Sequence, residues 1–269
     1  MKLTLPDKSV RELPEGSSGH DLAKDIGTGL AKAAVAVKVD GEERDLHDVI
    51  KSDCSISIIT IDSNEGLEIM RHTLTAQVLA RAIKNIYPKS FLAIGPTIEN
   101  GFYYDVETDQ AISIDDLQKI EDEMHKIIQT NSPITKKLKT KKEALKVFKS
   151  LKEPYKELII NESDQKEDFQ LYYQNDEEFV DLCKGPHLPN LSFIGSFKLT
   201  KVSGAYWKGD SKNKMLTRIY GTAWNSEKEL NKHLNDIEEA KKRDHRQLGK
   251  EMNLFHFQEE APGMVFWHP

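Results

Sequence analysis

Residues 181–189 read Asp181-Leu-Cys-Lys-Gly-Pro-His-Leu-Pro189. Cys183 and His187 are four residues apart, but the glycine and proline between them exclude an ordinary helical turn. Proline lacks an amide donor and clashes with the preceding turn, so the two side chains leave a bent loop. A bent loop that presents a thiol and an imidazole toward a third polar group is typical of a hydrolytic pocket or of a metal site.

The composition indicates a globular protein of about two domains, because the chain has 269 residues, 38% hydrophobic and 30% charged. No apolar run approaches the roughly 20 residues that span a bilayer, and the N-terminus lacks the apolar core of a signal peptide. The two cysteines, Cys54 and Cys183, fit a reducing cytosol. We expect Cys54 to be a small buried hydrophobic residue and the protein to be cytoplasmic.

The charge pattern leaves two interpretations open. The net charge is −6, yet lysines crowd residues 136–152 and acidic side chains crowd residues 162–181. A solvated lysine-rich helix face explains the first run at least as well as a local RNA-binding surface does.

Residues 1–62 are predicted to form a small β-rich domain. A helix is expected from Ser18 as N-cap to Asp25, with a short helical piece near residues 30–34. Asp40-Gly41 is a strong signal for a tight turn between strands. Four short strands around a helix favour a ubiquitin-like β-grasp, with strands expected at residues 2–5, 10–13, 35–39 and 55–61.

Residues 63–225 are predicted to form an α+β domain, with a linker at residues 62–66. An amphipathic helix should run from Leu67 to Tyr87 and end before Pro88. Its apolar residues recur at three- and four-residue spacing: Leu67, Met70, Leu74, Val78, Ala82 and Ile86. Further elements are expected as strands within residues 93–105, a helix near 114–129 and strands within 206–220.

The C-terminal part of the chain is predicted to begin with a linker helix at residues 226–252. Ser226-x-x-Glu229 has the capping-box signature of a helix start. Residues 253–269 are aromatic-rich and are expected to be extended.

Two blocks carry a resemblance to a known family. Residues 181–189, taken with Gly204-Ala-Tyr-Trp-Lys-Gly-Asp-Ser-Lys-Asn-Lys-Met-Leu-Thr-Arg-Ile-Tyr-Gly-Thr-Ala-Trp224, closely resemble the editing region of bacterial threonyl-tRNA synthetases. Residues 1–62 resemble the TGS domain that begins those enzymes, and residues 253–269 look like the start of their class II aminoacylation domain. The resemblance implies an N-terminal fragment with TGS and editing domains.

The resemblance also implies a set of site residues. His72 would orient or deprotonate a water, and Lys156, in Pro154-Tyr-Lys-Glu157, would stabilise the oxyanion or the leaving ribose oxygen. Asp181 would bind the seryl amino group, while Cys183 and His187 would shape the pocket. Three further residues are candidates for substrate binding, although packing roles explain them equally well: Tyr104, Asp105 and Trp207.

Ala76 departs from the family pattern, in which the helix usually carries two histidines four residues apart on one side. Editing could survive through His72, or the domain could retain only tRNA binding. A zinc site of the kind found in related alanyl-tRNA synthetase editing domains would keep three ligands, but we expect no metal, since the bacterial threonyl enzymes are understood to edit without zinc.

The implied reaction is hydrolysis of mischarged seryl-tRNA(Thr) at its terminal adenosine ester. Serine lacks only one methyl of threonine, which is worth about 1–3 kcal/mol, so a second pocket is needed to separate them. The expected partners are the tRNA(Thr) acceptor end and serine or seryl-adenosine, with no membrane. The family resemblance places ATP, Mg²⁺ and Zn²⁺ in the aminoacylation domain, so we expect no cofactor, no ligase activity and a monomer here; the full-length enzyme would be a homodimer.

Overall fold

The computed structural model describes residues 1–243, 248–249, 251–259, 261 and 263–268. The chain divides into two compact units, Met1–Asn225 and Ser226–Pro269. None of the helices in these described ranges is long and apolar enough to cross a membrane.

The N-terminal 60 residues fold as a five-stranded sheet packed on two helices. The strand order is β2-β1-β5-β3-β4, with β1 and β5 parallel and the other pairs antiparallel. The elements are β1 (Lys2–Thr4), β2 (Val10–Glu12), α1 (Gly19–Ile26), α2 (Thr28–Ala33), β3 (Ala34–Val39), β4 (Glu42–Asp45) and β5 (Cys54–Thr60). This is the β-grasp arrangement that the sequence predicts, with one more strand than expected.

Strand β4 is the additional one, and its composition explains why the sequence does not reveal it. Glu42-Glu-Arg-Asp45 is entirely charged and lies at the sheet edge, so it lacks the alternation of a half-buried strand. The turn before it is as predicted, because Asp40 and Gly41 both have positive φ, +50° and +90°. Cys54 is half-buried, packs against the β-grasp core and so is less buried than the sequence suggests.

The long helix begins three residues earlier than expected and takes up most of the predicted linker. Ser63 caps it by accepting the backbone N–H of Gly66 at 3.0 Å. Gly66 is required there, since a Cβ would come within 2.1 Å of the Thr60 carbonyl oxygen. The helix has three segments: α3 (Asn64–Thr73), a π-helical turn (Leu74–Leu79) and α4 (Ala80–Ile86).

The π-helical turn is anchored from two sides. Gln174 donates to the backbone carbonyl of Gln77 at 2.6 Å, and Thr75 donates to the carbonyl of Tyr103 at 2.8 Å. Such turns carry i→i+5 hydrogen bonds and are often found at functional sites.

The rest of the first unit is α+β, as predicted. Its two sheets follow the orders β11-β10-β9 and β12-β13-β8-β6, with β7 also paired to β8. The strands are β6 (Phe91–Leu92), β7 (Thr97–Ile98), β8 (Gly101–Glu107), β9 (Ile134–Lys139), β10 (Phe169–Gln174), β11 (Phe179–Leu182), β12 (Ser196–Tyr206) and β13 (Met215–Trp224). The helices are α5 (Leu117–Gln129), α6 (Lys141–Leu151) and α7 (Pro154–Glu162).

The predicted strands within residues 206–220 need one correction. Trp207–Gly209 forms a 3₁₀ turn between β12 and β13, because Lys208 and Gly209 adopt positive φ and end the strand. The lysine run is divided between β9 and α6, and its first members are engaged in ion pairs: Lys136 with Asp45 and Asp48, and Lys137 with Glu177.

The second unit begins with α8 (Glu227–Lys242), which Ser226 and Glu229 cap reciprocally as the sequence predicts. The sequence predicts that this linker helix continues to residue 252. Residues 244–247 and 250 of that prediction lie outside the part of the chain that the structure describes. Two short strands follow and pair antiparallel, β14 (Phe255–His256) and β15 (Phe266–Trp267).

Candidate functional site

A cavity of about 660 Å³ opens between the long helix, α7 and the loop after β11. Four of the predicted catalytic residues line it: His72, Lys156, Asp181 and Cys183. Gly95 and Pro96 contribute to its wall, as do residues 168–170. The cavity thus collects side chains from three widely separated parts of the sequence.

One side of the cavity carries a cluster of two imidazoles and a thiol. The His72 Nε2 lies 2.9 Å from the Cys183 Sγ, and the ring of His187 stacks on that of His72 with centroids 4.7 Å apart. His187 is itself buried behind this pair and does not line the cavity. It supports His72 from the side away from the open space.

Thr73 determines which nitrogen of His187 carries a proton. The Thr73 hydroxyl donates to the Ile69 carbonyl at 2.8 Å, so its oxygen accepts from the Leu188 N–H at 3.0 Å and lies 3.1 Å from the His187 Nδ1. The Nδ1 must therefore be the donor. The His187 Nε2 is left as a buried acceptor with no hydrogen-bond partner among the described residues.

The other side of the cavity carries a buried ion pair. The Lys156 Nζ lies 2.6 Å from the Asp181 Oδ1, and the two side chains are only 4% and 3% exposed. The Tyr104 hydroxyl contacts both, 3.4 Å from Asp181 and 3.3 Å from Lys156, and the Leu182 N–H donates to the same carboxylate. Tyr104 is fully buried and supports the pair from behind the cavity.

Burial sets the protonation of this site. It lowers the pKa of His72 below the usual 6.5, despite the nearby carboxylates of Asp181 and Asp45, so the neutral imidazole dominates at neutral pH. Burial and then the Asp181 charge raise the pKa of Tyr104, which therefore stays a hydrogen-bond donor. Burial also raises the pKa of Asp181, an effect that Lys156 opposes.

Ala76 lies on the π-helical turn and lines the cavity beside His72. A histidine at this position would therefore project into the same space. Its absence leaves one imidazole, rather than two, on the cavity side of the helix.

His72, Cys183 and His187 also form a possible metal site. One ligand atom from each lies within 4.8 Å of the others. The donor set fits a catalytic zinc with three protein ligands, and the unpartnered His187 Nε2 is a suitable ligand atom. A bound zinc would activate a water as nucleophile.

None of the three predicted substrate-binding residues lines the cavity: Tyr104 lies behind it against Asp181 and Lys156, and Asp105 and Trp207 lie elsewhere. Asp105 follows Tyr104 on β8 and so faces the other side of the sheet, where Arg218 binds it through two contacts of 2.6 and 2.8 Å. Trp207 is buried in a separate apolar cluster, with its ring 4.9 Å from that of Tyr155. The structure assigns both residues to the framework of the domain.

The sequence does not reveal three residues that hold the site together. In the sequence, the only indication of a role for Thr73 is that it directly follows His72. Tyr172 packs against His187 in a T-shaped arrangement, with ring centroids 4.3 Å apart. Asp45 comes from the β-grasp part of the chain and accepts the backbone N–H of His187 at 2.8 Å.

Comparison with known families agrees with this geometry. Residues 170–220 match the "Threonyl and Alanyl tRNA synthetase second additional domain". The fold and site thus define a chain of the aminoacyl-tRNA editing class. Residues 1–60 match the TGS domain. A TGS domain followed by this editing domain is the hallmark of the N-terminal region of threonyl-tRNA synthetases, and the two matched segments stand in that order in this chain. Its domains support a role in editing and tRNA binding within a synthetase.

Proposed function

We propose that this chain hydrolyses the ester of mischarged seryl-tRNA(Thr). The observation that carries the proposal is that one cavity is lined both by the His72 imidazole and by the buried Lys156 side chain. Ester hydrolysis requires a group that accepts a proton from water and a cation that stabilises the developing oxyanion. His72 can accept the proton, and Lys156 can stabilise the oxyanion.

The proposed reaction begins with a water between His72 and the seryl carbonyl. His72 accepts the proton of this water as it attacks, and Lys156 stabilises the negative charge on the carbonyl oxygen. The ester bond to the ribose then breaks, and the proton passes to the ribose oxygen. Serine and tRNA are released.

In this proposal, the first role of Asp181 is to hold Lys156 in place. Its carboxylate already accepts from Lys156 and from the Leu182 N–H, at 2.6 and 2.8 Å. The seryl ammonium could join by displacing its longest contact, the 3.4 Å hydrogen bond from Tyr104. Recognition of the amino group, as predicted from the sequence, would thus be a second task of the same carboxylate.

Cys183 supports His72 and is not the proposed nucleophile. Its sulfur is within hydrogen-bond distance of the His72 Nε2, and a water attack needs no covalent intermediate. His187 acts through its stacking on His72.

The alternative function is a tRNA-binding module with lapsed editing chemistry. The observation that favours it is Ala76, which leaves one side of the cavity without a second imidazole. The retained burial of Lys156 against Asp181 favours the hydrolase.

The test is release of serine from preformed seryl-tRNA(Thr), with threonyl-tRNA(Thr) as the substrate control. The Cys183→Ala, His187→Ala double variant and the Lys156→Met, Asp181→Asn double variant serve as controls for the site, the second because it leaves no buried charge unpaired. Serine release that these variants lose, with the threonyl ester spared, supports an editing hydrolase. Bound tRNA without serine release by the unaltered chain supports the binding module instead.

Several finer properties accompany this proposal. Editing is proposed to need no metal, to occur in the cytoplasm and to act in cis with a threonine–tRNA ligase. The ligase reaction, with its ATP, would belong to a class II aminoacylation domain, through which the full enzyme would dimerise. Zinc analysis of the purified protein tests the first property, since stoichiometric zinc that supports hydrolysis would contradict it.

A further inference from the structure

One carboxylate of the TGS domain reaches the candidate editing site. Asp45 ends β4, and its Oδ1 accepts the backbone N–H of His187 at 2.8 Å. Its Oδ2 accepts the Tyr172 hydroxyl at 2.7 Å and lies 2.7 Å from the Lys136 Nζ. The Asp45 side chain is 14% exposed, so these contacts are largely protected from water. Charge-assisted hydrogen bonds in such surroundings hold their partners firmly.

Asp45 has two uncharged partners, the Tyr172 hydroxyl and the backbone N–H of His187. His187 is part of the imidazole cluster, and Tyr172 packs against it. The Tyr172 ring meets the His187 ring edge-on, with centroids 4.3 Å apart, and His187 stacks on His72 at an interplanar angle of 9°. Asp45 is therefore two contacts away from the proposed base through His187 and three through Tyr172. It fixes His187 from its main chain and from one side of its ring.

The loop between Cys183 and His187 is fitted around the same hydroxyl. Gly185 adopts φ of +65°, and a Cβ on it would come 1.9 Å from the Tyr172 hydroxyl and 3.5 Å from the Asp45 carboxylate. The loop that carries the thiol and the second imidazole thus packs directly on the pair that Asp45 holds.

We propose that Asp45 is a positioning residue for the editing site, by which the TGS domain fixes His187 and Tyr172 and, through them, the orientation of His72. The inference rests on the proposed hydrolysis for its effect on rate. The TGS domain then completes the site.

Asp48 provides a matched control within the same domain. It binds Lys136 at 2.5 Å, compared with 2.7 Å for Asp45, and its side chain is 27% exposed. Among the described residues, no hydrogen bond joins the Asp48 side chain to His187 or Tyr172, both of which donate to Asp45. Removing Asp48 therefore weakens the ion pair between the domains and leaves the two contacts to the site intact.

The experiment compares Asp45→Ala, Asp45→Asn and Asp48→Ala in the full chain. Asp45→Ala is expected to lower kcat for seryl-tRNA(Thr) hydrolysis by about 100-fold, since misplacement of a catalytic group by about 1 Å has this effect, with little change in KM. Asp48→Ala should stay within about twofold of the unaltered chain, because partly exposed ion pairs contribute little. Equal losses in Asp45→Ala and Asp48→Ala, or a change confined to KM, would overturn the inference.

Asp45→Asn keeps an oxygen that can accept the His187 N–H. It is expected to recover about tenfold of the rate lost in Asp45→Ala, consistent with the typical net contribution of one hydrogen bond. If Asp45→Ala does not fold, Asp45→Asn is compared with Asp48→Ala in its place, since Asn retains the size of the side chain. A rate for Asp45→Asn no higher than that of a folded Asp45→Ala contradicts a role through this hydrogen bond.

A second readout does not depend on hydrolysis. In ¹⁵N-resolved NMR spectra, Asp45→Ala should shift the His187 backbone amide and the imidazole resonances of His187 and His72, while Asp48→Ala should leave them in place. Unchanged resonances in Asp45→Ala overturn the positioning role. If the unaltered chain releases no serine, the proposed function fails, and the NMR comparison still decides the role of Asp45.

Discussion

Replacing Lys156 by methionine should destabilise the protein strongly, because it leaves the Asp181 carboxylate buried and unpaired. The two partners are 2.6 Å apart and at most 4% exposed. Removing one member of such a buried pair typically costs about 3–5 kcal/mol, against less than about 1 kcal/mol for an exposed pair. Lys126→Met supplies the exposed comparison, since Lys126 is 72% exposed where it pairs with Glu123.

The loss in Lys156→Met should depend on pH with a defined sign. Burial already raises the pKa of Asp181 above 3.8, and loss of Lys156 raises it further. The folded state then binds a proton that the unfolded state releases, so stability falls as pH rises above the unfolded pKa. The deficit should therefore be smaller at about pH 5 than at about pH 7.5.

Urea denaturation followed by circular dichroism measures the free energy of unfolding of each variant. The double variant Lys156→Met, Asp181→Asn is measured in the same way. The double variant should recover most of the stability, because no charge is left unpaired, and should still fail to release serine. A loss in Lys156→Met of less than about 1 kcal/mol at neutral pH would refute the description of a buried pair.

Four other outcomes are expected. Ala76→His should raise serine release about tenfold by supplying a second imidazole; no gain in a folded variant contradicts this. The acid limb of kcat should lie below pH 6.5, because burial lowers the pKa of His72 and only the neutral ring accepts a proton; a limb above pH 6.5 counts against this base. Cys183→Ala should lower kcat by about tenfold at most; a loss near 10⁴-fold in this variant, or a thioester trapped on Cys183 of the unaltered chain, would indicate a cysteine nucleophile. Thr73→Val should cost about 1–3 kcal/mol in urea denaturation by leaving the His187 Nδ1 and the Leu188 N–H unpaired; unchanged stability contradicts the hydrogen-bonding role of Thr73.

Much of the fold could be predicted because its signals are local. The capping residues Ser18 and Ser226 and the Asp40-Gly41 turn each act within a few residues of chain. The bent loop at residues 181–189 is likewise determined by its own glycine and proline. The charged strand β4 and the π-helical turn gave no such signal, because both depend on partners distant in sequence.

The candidate site, like the fold, could be predicted only in part from the sequence. The resemblance located four cavity residues, but it did not separate Tyr104 from Asp105, which the alternation of β8 places on opposite sides of the sheet. Trp207 carries an aromatic ring suited to stacking on bases, and only the structure shows that Tyr155 packs against it. Asp45 is an ordinary surface residue type, and its role becomes visible only where two domains meet.

The π-helical turn at Leu74–Leu79 makes the long helix tolerant of a change in length. A π turn holds one residue more than an α-helix needs, so deleting one residue there would restore i→i+4 bonding and keep the flanking helices in register. The same deletion would withdraw the Gln77 carbonyl that Gln174 binds. It would also turn position 76 relative to His72. The helix could survive such a deletion as a structural element while the cavity beside it lost its shape.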